Sequence, residues 1–362
     1  MKVKDFVTII EERIPCRIQE SFDNSGIQIG PFDREMIRPL LSLDVSEQVV
    51  KKAIEIGSNM IISHHPFFFQ GFKSINTDYI KSDLIIQLIK HEITVYSLHT
   101  PIDKIQGGLN DHFCSILGLK NVRGIIPSGE KAIYKLQVFV PQSHKDIVLE
   151  TLASNGAGFI GNYSECTFST SGIGTFKAHE GTNPFIGSID KREYAKETKI
   201  ETVIPVEKLD AVIKEVERVH PYEEVAMDVI PLNKPEFNYY LCRTGEMESD
   251  ISLEELNKRL KEITGQKSIR YCGNEQDRIK KIAICTGSGG SLLEAIKKQN
   301  VDAFITGDIG YHDFQNAQEN RFALIDISHF NTEKYFGEVF QRFFEDLEID
   351  FSTFFSSYIK EF

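Results

Sequence analysis

The sequence predicts an α/β fold: two related α/β halves that build one core, with a ferredoxin-like α+β module inserted between them. Three observations carry this. From Arg38, "RPLLSLDVSEQVVKKAIEIGSNMIISHHP" reads as strand, turn, amphipathic helix, Gly57 and strand, a β-α-β unit. Far down the chain, "KKIAICTGSGGSLLEAIKKQNVDAFITGDIGYHD" repeats that order, and laying Ala295-Ile296 over Ala53-Ile54 aligns the two without a gap. Between them, roughly Pro127 to Leu232, the order changes to β-α-β-β-α-β, the ferredoxin-like pattern. The predicted boundaries are residues 1–126 for the first half, 127–235 for the module and 236–362 for the second half, with Pro127 and Pro235 as joints.

In the first half Ser46 is the predicted N-cap, and Val49, Val50, Ala53 and Ile54 give its helix an apolar stripe. The run Met60-Ile61-Ile62 is short and wholly apolar, as expected of a buried strand. Pro66 has no N–H for the ladder, so this strand stops near His64 and His65. A helix around Ile85 to Lys90 leads into "ITVYSLHTPID", a strand running into His99 with Asp103 four residues on. In the second half "ALIDISHFNTE" runs into His329 with Glu333 four residues on. If each segment turns helical after its histidine, the 3.6-residue period brings histidine and carboxylate onto one face. The module opens with "YKLQVFVPQSHKDIVLETLASNGAG", a strand and a helix. Further strands follow, with a second helix ending near His220-Pro221; His220, in "HPYEE", is assigned to the module's own fold.

At 362 residues and 41% hydrophobic, the chain is long enough for two or three domains. A formal charge of -12, from 41 basic and 53 acidic residues, argues against non-specific adhesion to nucleic acid or anionic membrane. The start "MKVKDFVTIIEERIPC" has too short an apolar run for a signal peptide, and no run approaches a transmembrane helix. The cysteines, Cys16, Cys114, Cys166, Cys242, Cys272 and Cys285, are scattered without a C-x-x-C pair, which argues against a zinc ribbon or redox motif. A soluble, reduced, cytoplasmic protein is expected.

Open α/β sheets place their ligand sites at the carboxyl ends of strands. That is where this scheme puts His64, His65, Asp103, His329 and Glu333. Imidazoles and carboxylates without thiolates suit a borderline divalent metal, zinc foremost, with manganese, iron or cobalt as alternatives. Five ligands exceed the need of one open catalytic zinc, and a carboxylate can bridge, so two ions about 3.5 to 4 Å apart are the economical reading. Singly, each residue also fits a polar loop or a solvated helix start; the duplicated histidine-to-carboxylate spacing is what favours the metal reading. Asp23, Asp308 or Asp326 can orient the outer ring nitrogens. His99 either binds metal or orients a ligand, and His312 in "GDIGYHD" is a ligand, a general acid or, as preferred, part of the cleft lining. The turn "TGSGGS", Thr286 to Ser291, either cradles an anion or is a tight turn needing glycine. Asp23-Asn24, in "SFDNSGIQIG", is ordinary turn chemistry or a cleft edge.

Taken in order, "SHHPFFF", "SLHTPIDKIQGGLND", "ITGDIGYHDFQNAQE" and "LIDISHFNTE" resemble the GTP cyclohydrolase 1 type 2 family, also called the Nif-three-like (NGG-one-interacting factor three) family. The resemblance covers essentially the whole chain. It implies a dinuclear metal site on His64, His65, Asp103, His329 and Glu333, with no departure at those positions. It further implies a toroidal homohexamer whose metal sites face an internal cavity, with the "HPYEE" segment as a PII/CutA-like insertion covering the openings. The family label implies hydrolytic opening of the GTP imidazole ring at C8 with release of formate.

Two classes of function follow. In one, the metals serve a hydrolase acting on GTP or another nucleotide, or on a phosphoester. In the other, the chain is a non-catalytic metal-binding or regulatory assembly whose module senses a small ligand.

Overall fold

A computed structural model describes residues 1–69, 71, 74–76, 78–128, 133–161, 163–232 and 239–358. The chain divides into two compact units, one of residues 1–129 and 238–362, the other of residues 130–237. Of the two expected joints, Pro127 closes the strand Lys120–Pro127, and Pro235 lies outside the described residues.

The first unit holds two sheets. One runs in the order Gly26–Ile29, Thr94–Ser97, Met60–Ser63, Leu40–Ser42, Ser352–Thr353, parallel except at the Gly26–Ile29 edge. The other runs Arg270–Cys272, Ala323–Asp326, Ala303–Gly307, Arg278–Ser288, Tyr240–Ser252, Lys120–Pro127, with its three middle strands from Ala323–Asp326 to Arg278–Ser288 parallel. Each sheet thus contains three parallel strands laid side by side in chain order, the product of successive crossovers of one hand. Met60–Ser63 and Ala303–Gly307 are buried along their whole length, as parallel strands covered on both faces must be.

The crossover helix Glu47–Glu55 begins where expected: Ser46 accepts a hydrogen bond from the Val49 N–H at 3.3 Å, and Val49, Val50 and Ala53 are buried. Its counterpart Leu293–Lys297 is shorter, because the segment from Gly290 to Leu292 forms a 3-10 turn first. One face of the first sheet is covered by an apolar core that mixes both ends of the chain. Phe336, Val339, Phe340 and Phe344 pack with Phe6, Leu41, Met60, Ile62 and Tyr96, and the Phe340 and Phe344 rings lie 4.6 Å apart. This core sits directly behind the histidines, with the Phe336 ring 5.3 Å from that of His64.

The second unit has the order strand Ile133–Pro141, helix Lys145–Ser154, strands Thr167–Lys177 and Arg192–Pro205, helix Val206–Val219, strand Met227–Pro231. Its sheet runs Thr167–Lys177, Arg192–Pro205, Ile133–Pro141, Met227–Pro231, antiparallel throughout, which is the ferredoxin-like arrangement. Leu136, Val138, Val140, Ile200 and Ile204 face Val148, Leu152, Val212 and Val216 of the helices. His220 serves this unit, as expected: it is buried and its Nε2 donates to the Phe139 carbonyl at 3.0 Å.

Candidate metal centre

Ser42, Ser63 and Ser97 lie in register across three parallel strands, so the segments that follow them emerge side by side. Backbone bonds continue the ladder beyond the strands: His64 N–H donates to Ser42 O, His65 N–H to Leu43 O and Leu98 N–H to Ser63 O. The histidine pair is therefore held as rigidly as the sheet. On the other side, Ala323–Asp326 leads through Ser328 into the short helix His329–Glu333.

Each outer ring nitrogen meets an acceptor. The Nδ1 atoms donate as follows: His64 to the Leu98 carbonyl at 3.0 Å, His65 to Asp44 at 2.9 Å, His99 to Asp23 at 3.0 Å and His329 to Asp308 at 2.7 Å. A carbonyl or carboxylate only accepts, so in the neutral rings each Nδ1 carries the proton and each Nε2 presents a lone pair. Those lone pairs converge. His65 Nε2 lies 3.1 Å from His329 Nε2, and Glu333 Oε2 lies 2.9 and 3.0 Å from the same two atoms. The other oxygen of Glu333, Oε1, lies 3.4 Å from His64 Nε2, which is also 3.9 Å from Asp103 Oδ1.

Two groups of ligand atoms close enough to hold a metal ion result, His64 with His65 and His99, and His65 with His329 and Glu333. His64 and Glu333 are buried, and among the described residues His64 Nε2 and Glu333 Oε2 have no hydrogen-bond partner. Buried lone pairs facing one another need a cation between them. The mouth is formed by half-open groups, since the His329 side chain is 30% exposed and that of Asp308 49%.

In the metal-free protein protons fill that role. Burial pushes the His65 imidazole down, but Asp44 and Glu333 outweigh it and raise it to about 10. Burial likewise opposes a charge on His329, yet Glu333 and then Asp308 bring it to about 9. His64, enclosed by the core, is pushed below its usual value by burial. Glu333 is held below the carboxylate range: burial opposes its charge, but the attraction of the His64, His329 and His65 rings that approach its oxygens outweighs it. Asp103 moves upward, first through burial and then through the charge of Glu333, against a donated hydrogen bond from the Thr286 hydroxyl. Asp23 falls to about 2: burial would raise it, but His99, Thr100 and the Asn24 N–H together prevail.

The sequence-predicted residues separate as follows. His64, His65, His329 and Glu333 meet, and Asp103 stands beside His64. His99 also turns its ring to His64 and His65, at 5.3 and 5.6 Å between centroids. The i,i+4 geometry brings His329 and Glu333 together at 3.0 Å, whereas His99 groups with the other histidines. Asp23 and Asp308 orient rings, but Asp326 accepts from Arg270, the Ile309 N–H and the Ser328 N–H, fixing the turn before His329. His312 is exposed on the helix Tyr311–Glu319 with Gln315 beside it and is not among the gathered ligands. The glycine-rich turn serves close packing: Gly287 N–H donates to Thr332 and Gly289 N–H to Thr306, and a Cβ on Gly287, at φ +71, would lie 2.5 Å from Glu333 Oε1. Those N–H groups are not free to cradle an anion.

Sequence reasoning missed Asp44 and Asn110. Asp44 follows the strand next to the histidine strand, and its place at a strand end was the available signal. Buried Asn110 donates to the Asp103 and Leu241 carbonyls and accepts from the Thr286 N–H, tying the first half of the core to the second; nothing local marks it.

Fold and site define a class: an α/β protein of two paired β-α-β halves carrying a buried histidine and carboxylate cluster able to hold a metal ion. The chain belongs to the Duf34/NIF3 (NGG1p interacting factor 3) family, whose model matches residues 1–361. It is 38% identical over 337 residues to the GTP cyclohydrolase 1 type 2 homolog of Halalkalibacterium halodurans, spanning 92% of this chain and 90% of that protein. The protein of the same name from Bacillus subtilis is 33% identical over 327 residues, spanning 90% and 88%. The crystal structure of a Bacillus cereus protein related to NIF3 matches with a TM-score of 0.87 at 32% identity, over 99% of this chain and 97% of that one. Among the described residues no helix is long and apolar enough to cross a membrane.

Proposed function

We propose that the cluster is a dinuclear metal centre in which His64, His65, Asp103, His329 and Glu333 hold two divalent ions, zinc foremost. On this reading the protein is a metal-dependent hydrolase, and the name its relatives carry points to GTP, with opening of the imidazole ring and release of formate. The observation that carries the proposal is Glu333, a buried carboxylate whose two oxygens face different histidine sets. That is the disposition of a bridging ligand, and the donor set of imidazole and carboxylate suits such ions.

When bound, the ions would supply Lewis acidity and a water acidic enough to attack an electrophilic carbon at neutral pH. The chain's own residues hold the ligands in one tautomer through Asp44, Asp308 and the Leu98 carbonyl. His99 is the proposed proton carrier: its Nδ1 is held by Asp23, itself kept ionised, and its ring is turned to the cluster. Phe336 and the core behind His64 keep bulk water from that side.

The proposal extends to assembly: a cytoplasmic toroidal homohexamer, with the second unit as a PII/CutA-like cover, checked by light scattering. A second reading is favoured by one observation. The glycine-rich turn spends its Gly287 and Gly289 N–H groups on Thr332 and Thr306, which leaves it less to offer a triphosphate. A non-catalytic metal-binding or regulatory assembly, or a phosphoesterase with a smaller substrate, fits that fact.

The test is metal content by elemental analysis on protein purified without added metal, followed by GTP turnover with formate detection on the same sample. About two ions per chain, with formate release that disappears in a His64→Ala variant of unchanged assembly, is the expected result. Two ions without formate release retain the centre and discard GTP. Protein without metal, and unable to take it up, overturns the proposal.

A further inference from the structure

The "HPYEE" motif plays no part in the metal centre, yet it lines a cavity of about 450 Å³ within the second unit. That size is within the range of small-molecule sites, roughly 300 to 1,000 Å³. The motif's histidine sets the loop. With its Nε2 donating to Phe139, His220 is left to accept the Tyr222 N–H at Nδ1, 3.1 Å away. Tyr222 is thereby placed between Phe176 and Phe185, with ring centroids 6.3 and 6.2 Å from its own. Phe139 completes the aromatic wall.

Carboxylates meet that wall. Tyr222 OH donates to Glu197 at 2.8 Å, and Gly174 leaves the space the carboxylate occupies, since a Cβ there would overlap Glu197 Oε2. Glu223 accepts from the Asn183 N–H with both oxygens and so anchors the loop that carries Phe185. Glu224 is exposed at the rim. Among the described lining residues there is no lysine, arginine or histidine. Aromatic faces are electron-rich and attract cations, most strongly where water is excluded. Three carboxylates added to such a wall repel phosphate and favour positive charge.

We propose that this cavity binds a small organic cation, an ammonium or guanidinium group on an apolar body. The aromatic rings take the apolar body, while Glu197 and Glu224 take the charge. This is a different ligand class from the anionic nucleotide proposed for the metal centre.

The chain contains no tryptophan, so Phe185→Trp places a single selectively excited fluorophore in the wall of the cavity. Full-length protein carrying this change is titrated with phenethylamine and with its neutral analogue 2-phenylethanol. The amine is expected to shift the emission saturably and to bind about tenfold or more tightly than the alcohol. Glu224→Gln in the same background should weaken the amine by about threefold or more and leave the alcohol unchanged. Unaltered protein, followed by saturation-transfer NMR with the same two compounds, must give the same ranking and decides the matter if the tryptophan variant does not fold. Equal binding of amine and alcohol, binding of neither, or an amine affinity indifferent to Glu224→Gln overturns the proposal.

Discussion

The first half of the core offers groups to the candidate metal centre from three neighbouring strand ends, whereas the second half offers its candidate ligands from one short helix. After Leu40–Ser42, Met60–Ser63 and Thr94–Ser97 come Asp44, then His64 with His65, then His99 with Asp103. In the second half the residues that the gapless alignment of the two β-α-β units lays over the histidine pair are Thr306-Gly307, and both candidate ligands stand on His329–Glu333. There is a steric reason for the change. A Cβ on Gly307 would lie 2.7 Å from the His329 backbone N, so that strand end must stay bare for the helix to approach. The next residue, Asp308, then orients the His329 ring. A repeated scaffold therefore does not repeat its chemistry: one strand end carries the histidine pair, and its counterpart makes room for the helix that faces it.

If the bridging carboxylate of the second half is the keystone, Glu333→Gln should have the largest effect. Metal content should fall from about two ions per chain, and any formate release should drop by more than the roughly 100-fold upper limit for outer-layer partners. Elemental analysis and formate assay of the same preparation check this. Retention of both ions would remove Glu333 from the metal site and break the comparison.

Gly287→Ala comes next, because it disturbs Glu333 without touching its chemistry. The added Cβ, 2.5 Å from Oε1 and on a backbone at φ +71, should cost about 1 to 3 kcal/mol in chemical denaturation and loosen metal as well. Asp44→Asn and Asp308→Asn probe one orienting group from each half. Each should weaken metal affinity by about 10- to 100-fold in competition with a chelator, and similar losses would mean that the halves support their ligands equally.

Protons give a further test. With His65 raised to about 10 and His329 to about 9, both rings are protonated at pH 7 in the metal-free protein, and metal must displace those protons. Loading in weak buffer should acidify the solution, and affinity should rise with pH. The sign for stability is the reverse. The unfolded value is near 6.5, so the metal-free fold gains fully from these two charges below that pH and loses the gain as pH climbs through 9 to 10. Thermal melts of chelated protein across that window report it. The smallest effect is expected at Ser328, which precedes His329 at φ 66 and ψ 153, a region L-residues avoid. Ser328→Gly should stabilise the metal-free protein by about 1 kcal/mol, since glycine loses only a few tenths as a cap.

Much of this was legible in the residues themselves. Apolar runs such as Met60-Ile61-Ile62 specify buried parallel strands because no face of them tolerates water, and Pro66 ends that strand at His64 and His65. The four-residue spacing of His329 and Glu333 becomes a contact because a helical turn is 3.6 residues long. These are short-range properties, fixed by neighbours in sequence. Which nitrogen of each ring faces inward was decided only by tertiary structure, since the acceptor is Asp44 for His65 and a backbone carbonyl for His64. The same holds for the approach of His65 to His329, 264 residues away, and for the Thr286 hydroxyl on Asp103, 183 residues away. Such contacts depend on how segments from the two ends of the chain pack, and that packing involves the whole core from Phe6 to Phe344, which no single stretch of chain contains.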